Sequence, residues 1–587
     1  MSKNERYVVV GIDFGSSGCG YAYSFMNEKN IYHMDVIGSD ADKKIPTEII
    51  LDDNNYVLNF GADCKEYLKE KGVNCGHYFK GIKMHLYQKK TTIKSSNSNK
   101  SLPIKIVIEK ILDKLREICI EQLVKSWEDI QETNIKWVVT VPAIWGDFEK
   151  SIMMEACQNA GIINENADKS LFFALEPEAA SLYCFRNDSI SKDHIKKGEY
   201  YIICDLGGGT GDIVTHLVGS NMTLKEIEPS CGGNYGSNEI DKKIFDNIIY
   251  KLFGYKDFLT ILEKYRELDL EEKEKEECVL FESWCQLEDD IKDFKKGVNS
   301  EKVKEKGKYP IHCNVFEDFF EEDVKELVDK YNNTLNDNEL KLEVKSKKKW
   351  IILFPYKILD IYIGEQSKLI CEEIKKILKK TKEQINIDIN KVIFVGGYSS
   401  NEVLTSKISL ELNENIAFFL KPSNPYLSIV EGAVLFGINP NIIETRIAKY
   451  TIGMETRNKW NEEKYSQNGI KFFDENSKKW LCDKCFRKFI EVGQKLQINE
   501  EIPPGSFSMA GSRIATLQFF KSLKPNPLFT FEEGVVKIAE CELDAEKDYP
   551  VGERSFKIYM KLSGTFIDVQ GVHTKSGKKC KVKLKFD

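Results

Sequence analysis

Four absences narrow what this chain can be. No apolar run approaches the roughly 20 residues that a membrane-spanning helix needs, so no membrane span is expected. No apolar leader opens the sequence: MSKNER passes directly into the strand-like YVVVGIDFG, and no export signal is expected. The sixteen cysteines show no framework spacing, which points to reduced thiols and a cytoplasmic or nuclear location. There is no basic excess, since 85 Lys and Arg stand against 92 Asp and Glu, a net charge of −7. A protein built mainly to hold nucleic acid is usually basic, so no nucleic-acid partner is expected. What is present is a chain of 587 residues, 42% hydrophobic and 30% charged. That is enough for three or four domains and too apolar for global disorder.

One local pattern occurs twice. Tyr200 to Val218 reads YYIICDLGGGTGDIVTHLV: an apolar run delivering Asp205, a turn of Gly207, Gly208, Gly209 and Thr210, then Gly211, Asp212 and a second apolar run. This predicts a β-hairpin with a glycine turn. Glycine lets a ligand approach the backbone, and successive N–H groups in such a turn can form an anion nest. Asp205 and Asp212 would repel a bare phosphate. They suit one that arrives with Mg²⁺, which takes oxygen ligands and keeps several waters. Tyr7 to Phe25, YVVVGIDFGSSGCGYAYSF, repeats the pattern with Asp13, Gly15, Ser16, Ser17 and Gly18. The two aspartates are 192 residues apart (205 − 13), so two related half-domains closing on one ligand are expected.

Between and beyond the hairpins lie further candidates. Lys83 stands in an aromatic and apolar setting, HYFKGIKMHL, and a lysine there can supply a point charge to a terminal phosphate; a surface position on an amphipathic helix is the plainer alternative. Glu176 precedes Pro177 and is expected to be extended at a strand end, where ligands gather in such sheets. In NKVIFVGGYSS a strand ends in Gly396-Gly397, whose backbone can lie flat against a base and sugar. Cys482 and Cys485 form a CxxC without a second pair, so incidental packing is expected rather than zinc.

Taken in order, GIDFGSS, VVTVPAIW, LEPEAAS and CDLGGGTGD resemble the ATPase domain of the 70-kDa heat-shock protein family, within the actin, hexokinase and heat-shock ATPase superfamily. KYPIHCNVFEDFF, VEGAVLFGINP and WLCDKCFRKFIEVGQ resemble its divergent heat-shock 70-kDa protein 12 branch. The resemblance implies ATP/ADP and Mg²⁺ as cofactors. It implies Asp13, Asp205 and Asp212 around the metal, and Lys83, Glu176, Asp205 and Asp212 as catalytic groups. Gly15, Ser16, Ser17, Gly207, Gly208, Gly209 and Thr210 would cradle phosphates, with Gly232 and Gly233 leading into a helix beside them. Lys295 and Lys296 would lie near the purine and ribose. The sequence departs from the family at Tyr398, where Tyr398 and Ser400 replace a Ser-x-Arg pattern, and at Tyr426, which replaces an acidic residue after Asn424-Pro425. Tyr398 is the candidate to stack on the base in place of the arginine.

After Pro440 the pattern shifts to short alternating strands, including Arg513 to Phe519, Val535 to Leu543, Ser555 to Leu562 and Lys579 to Phe586, a β-sandwich-like pattern. The fold class expected is α/β: a two-lobed, actin-like (ribonuclease-H-like duplicated) ATPase domain over 1–440, then a small β-sandwich-like domain over 441–587. Lobe I is expected at about 1–204, lobe II at about 205–395 and a closing segment at 396–440. Neither the family's helical lid nor its acidic tail is expected after this unit. The expected function is an ATP-binding, slowly hydrolysing chaperone-like protein, whose C-terminal unit could hold unfolded polypeptide or a specific client. A nucleotide-dependent binding module with little hydrolysis, and a small-molecule kinase of the same superfamily, remain open as alternatives.

Overall fold

The two glycine turns sit at matching places in two sheets. In a computed structural model that describes residues 7–26, 28–35, 44–163, 171–186, 190, 194–268, 273–475, 477–508, 514–544, 555–563, 566–575, 577 and 579–583, the first sheet contains Val8–Phe14 (β1), Gly18–Phe25 (β2), Tyr32–His33 (β3), Ile135–Val141 (β4) and Leu171–Leu175 (β5). Their order is β5-β4-β1-β2-β3, parallel from β5 to β1 and antiparallel from β1 to β3. The second contains Tyr200–Leu206 (β6), Gly211–Val218 (β7), Leu224–Gly233 (β8), Lys391–Val395 (β9) and Phe418–Leu420 (β10). Its order, β10-β9-β6-β7-β8, repeats the same sequence of parallel and antiparallel pairings. Ile443–Ile447 (β11) and Lys495–Gln497 (β12) then extend that second sheet beyond β8. The sheet therefore continues past Pro440, where the sequence changes character.

Both central strands are apolar on both faces, as strands covered on each side must be. Val8, Val10 and Ile12 of β1 face helices Ile104–Ser126 and Asp147–Asn159. Ile202, Cys204 and Leu206 of β6 face a separate core that includes the helix Tyr356–Ile385. The intervening Val9 of β1 and Tyr201 and Ile203 of β6 meet in a shared core, filled by helices Glu176–Arg186 and Ser428–Ile438. SIVEGAVLFGI is apolar nearly all round, as a helix buried between two sheets should be. Its small residues allow close approach: a Cβ on Gly432 would overlap the backbone of Ala179, and one on Gly437 would meet Val9 and Val138.

The C-terminal strands form a five-stranded and a four-stranded sheet. Met454, Ile490, Phe519 and Ile538 of one share an apolar cluster with Ile558, Met560 and Val569 of the other, the arrangement of sheets packed face to face. The strands observed are Ile514–Ser522, Val535–Asp544, Ser555–Ser563 and Lys579–Lys583; Arg513 and the tail at 584–587 lie outside the described residues. Among the described residues no helix is long and apolar enough to cross a membrane. Cys482 and Cys485 are buried with Tyr465 and Phe529 in a small apolar cluster.

Gly432→Val tests the packing between the sheets. Two branched methyls at that crossing should cost about 3 kcal/mol, the upper end for overpacking, read as a lowered urea midpoint. An unchanged midpoint contradicts the contact with Ala179.

Candidate functional site

Each sheet brings its central strand to an end on the same site. Asp13 is the penultimate residue of β1, Asp205 the penultimate residue of β6, and Asp212 the second residue of β7. Asp205 and Asp212 are directly opposed across the β6–β7 pair. Like charges so placed destabilise a hairpin, and here they are also 5% and 1% exposed.

The two turns touch. A Cβ on Gly208 would overlap Ser17 Oγ, and one on Gly209 would overlap Ser16 Oγ and Met84 Sδ. Only glycine permits this approach. The first turn is braced by Thr47, whose hydroxyl donates to Gly15 O at 2.8 Å. The second is braced from behind: Ser237 N donates to Gly207 O at 3.2 Å and Asn238 N to Gly208 O at 2.8 Å. Gly207 N closes the turn on Thr210 O at 3.0 Å. Ser17 Oγ donates to Asn238 Oδ1 at 3.2 Å, so Asn238 contacts both turns. Gly232 and Gly233 lie opposite Asp212 and Gly211 on β8, and a Cβ on Gly232 would overlap Gly211 O.

Lys83 is buried, 3% exposed, in the short helix Ile82–Tyr87. The plainer expectation of a surface lysine is therefore replaced by a buried one: Nζ donates to Glu176 Oε1 at 2.5 Å and stands 5.8 Å from the Trp145 ring centre. Glu176 follows β5 directly but begins the helix Glu176–Arg186, and is not extended. Pro177 is accommodated in that first turn, where its missing N–H costs nothing.

The electrostatics follow from crowding. Burial raises the Glu176 carboxyl to about 7 despite the Lys83 ammonium, with Asp13 and Asp212 adding to the rise. Burial lifts Asp212 to about 6, while the Ile144 N–H, 2.9 Å from Oδ1, opposes the shift. Asp205 is pushed well above the carboxylate range by burial and by Glu176, Asp212 and Asp13. Asp13 alone goes down: burial opposes it, but Lys44 and Lys83 prevail. Lys44 Nζ donates to Asp13 Oδ2 at 2.5 Å, and Thr140 Oγ1 to Oδ1 at 3.2 Å. Four carboxylates (Asp13, Glu176, Asp205, Asp212) face three lysines (Lys44, Lys83 and, acting on Asp212, Lys449), so full ionisation leaves −4 + 3 = −1. That deficit, in an oxygen-only donor set, fits a hard divalent cation. Among the described residues no three His, Cys, Asp or Glu side chains form a group that could hold a metal ion by themselves.

Beside Asp205, Gly396 has φ +79°, and a Cβ there would overlap Asp205 Oδ1 and Leu206 O; the loop packs on the end of β6. Tyr398 requires a correction. It is 5% exposed in the core, with its hydroxyl donated to Gln366 Oε1 at 2.7 Å, so it offers no face to a base. The ring beside Gly397 is that of half-buried Tyr426, 2.7 Å from where a Cβ would be. Lys295 donates to Asp241 Oδ2 at 2.6 Å and to Ser237 O at 3.1 Å, bracing the segment behind the second turn. Lys296, next along the helix Lys273–Lys296, is exposed. Sequence reasoning missed Lys44, Thr140 and Asn238. Thr140 carried a signal, being a polar residue inside the apolar run WVVTV; Lys44 and Asn238 reach the site only through folding.

An Hsp70 protein family model matches residues 72–346. Heat shock 70 kDa protein 12A of Homo sapiens is 23% identical over 100% of this chain and 92% of its own length; the human 12B protein is 24% identical over 99% and 91%. A chaperone protein HscA homolog of Rickettsia felis is 32% identical over 45% of this chain and 39% of its own. The chain therefore carries an Hsp70 family-model match over residues 72–346. Over its whole length it is homologous to heat shock 70 kDa proteins 12A and 12B.

Glu176→Gln provides a test of the crowding. With a folded value near 7 against an ordinary 4.5, Glu176 contributes stability that is full below pH 4.5 and lost as pH rises through 7. The melting temperature of the ligand-free protein relative to the Gln variant should fall across that window. A flat difference would show that the carboxyl is not crowded.

Proposed function

We propose that the touching turns are a phosphate clamp and that the protein binds ATP and ADP with Mg²⁺ and hydrolyses ATP slowly. The observation that carries this is the pair of glycine turns, from two sheets of the same strand order, meeting over four buried carboxylates. Asp13, Asp205 and Asp212 would hold Mg²⁺, which when bound would neutralise charge on the β- and γ-phosphates. The hydroxyls of Ser16, Ser17 and Thr210 and the amides of Gly15, Gly207, Gly208 and Gly209 donate to the phosphates as the two sheets close. Lys83 stabilises charge on the γ-phosphate, and positioned charge of this kind supplies most of phosphoryl-transfer catalysis. Glu176 orients the attacking water with Asp212, and a carboxyl titrating near 7 is well matched to taking its proton.

We read residues 1–440 as two lobes and a closing segment, and 441–587 as the responding β unit. The contacts support that coupling. Ile144 N binds Asp212, the neighbouring Ala143 O accepts from Lys449, and Asp147 pairs with Lys521 of the C-terminal sheet at 2.7 Å. A change at Asp212 thus has a short covalent and hydrogen-bonded route to the β unit, where polypeptide is the proposed client, as the chaperone name of the Rickettsia relative suggests. The buried Tyr398 favours a second reading, a binding module with little turnover, because it removes one expected purine contact.

Lys83→Ala and Asp205→Ala decide between catalysis and its absence. Turnover of Mg-ATP should fall about a hundredfold in Lys83→Ala, the scale of losing one charge-stabilising donor, and nucleotide affinity should collapse in Asp205→Ala. Equal turnover in wild type and both variants sinks the hydrolytic assignment.

A further inference from the structure

Lys44 has no part in the clamp as described, yet it touches the clamp's metal-facing carboxylate. Its side chain is 17% exposed, and its Nζ lies 2.5 Å from Asp13 Oδ2, on a side chain 5% exposed. The other oxygen of Asp13 takes the Thr140 hydroxyl at 3.2 Å, so both oxygens are engaged. An ammonium and a hydrated divalent ion cannot share that position on Oδ2, because each needs the same lone pairs and they repel each other.

The placement of Lys44 is itself constrained. It immediately precedes Ile45–Pro46, which pairs with β2 through Cys19↔Ile45 and Gly18↔Pro46. Thr47, next along, binds both Gly15 and Ser17 of the first turn. The backbone at Lys44 is thereby tied to the rim of the turn, and its Cβ lies 3.6 Å from where a Cβ on Gly18 would be. A lysine carries a compact charge on a flexible four-carbon stem. From a root fixed beside the turn its ammonium reaches Asp13, and a change of side-chain rotamer alone would re-aim it.

We propose that Lys44 is a tethered cation that occupies the metal's place on Asp13 in the nucleotide-free protein and transfers to the phosphates when Mg-nucleotide enters. The proposal rests on the clamp reading above. Metal and nucleotide then bind together: free metal competes with a lysine already in place, while the phosphates draw that lysine away. Lys44 also lets the site tolerate nucleotide without metal better than the same site without that cation.

The test uses Lys44→Met, which keeps the stem and removes the charge, and Lys44→Arg, which keeps a cation. Mn²⁺ binding to the nucleotide-free full chain is followed by electron paramagnetic resonance, and ATP binding in excess EDTA by calorimetry. Removing one charge-assisted competitor should tighten Mn²⁺ by about tenfold in Lys44→Met and weaken metal-free ATP by about tenfold, with Lys44→Arg close to wild type in both. Mn²⁺ affinity unchanged in Lys44→Met overturns the claim on Asp13. ATP affinity in EDTA unchanged overturns the transfer to phosphate. Should wild type bind no ATP even with Mg²⁺, the clamp reading fails and the transfer with it, while the Mn²⁺ result still decides what holds Asp13. A loss of fold in Lys44→Met would show in its melting curve, and Lys44→Arg then carries the comparison: Mn²⁺ binding by the Arg variant much tighter than wild type counts against the proposal.

Discussion

The site depends on one constraint: four carboxylates from four different strand or helix ends are buried together with too few cations. Asp205 and Asp212 are forced into opposition by the register of a single hairpin, and Asp13 and Glu176 arrive from the other sheet. In water such a group would ionise freely and repel modestly. Here burial holds three of the four carboxyls above their ordinary range, with repulsion from neighbouring carboxylates adding to the rise at Glu176 and Asp205. The fold tolerates this only because three separate hydrophobic cores hold the strand ends in place. The proposed divalent cation would relieve this crowding, since it takes oxygen ligands and offsets the carboxylate charge.

The repeated strand order explains why the two turns meet. Each sheet has its hairpin beside two parallel strands, so the glycine turn falls at the same end of each. Helices Glu176–Arg186 and Ser428–Ile438 then fill the space between the sheets. Gly432 lets the second of these helices reach the backbone of Ala179, and Gly437 makes room for the Val9 and Val138 side chains. An extra methyl group in that crossing would strain the strands that carry the glycine turns, because packed interiors transmit strain rather than absorb it.

How far the sequence could be read depended on whether a feature was local. Both hairpins were legible because their signal is contained in about twenty residues: apolar alternation, an aspartate, a glycine turn. The C-terminal strands were legible to within a few residues for the same reason. The burial of Lys83 was ambiguous, since HYFKGIKMHL suits a surface helix equally well until Glu176, 93 residues away, arrives beside it. Lys44, Asn238 and the exchange of Tyr398 for Tyr426 were not legible, because each depends on a long-range contact. Tyr398 is drawn inward by Gln366, a residue of the helix Tyr356–Ile385, and no spacing rule foretells that partner. Lys295 likewise gains its role from Asp241 and Ser237. The two glycine turns thus follow local motifs, while Lys44, Asn238, Lys295 and Tyr398 take their places through tertiary contacts particular to this chain.

The central claim is that both turns act on one phosphate chain. A crystal structure with Mg²⁺ and a non-hydrolysable ATP analogue tests it most directly. The account predicts the β- and γ-phosphates between residues 15–17 and 207–210, a metal on the side of Asp13, Asp205 and Asp212, and Lys44 withdrawn from Asp13. Phosphates bound against one turn only, or a nucleotide seated elsewhere on the protein, would contradict it.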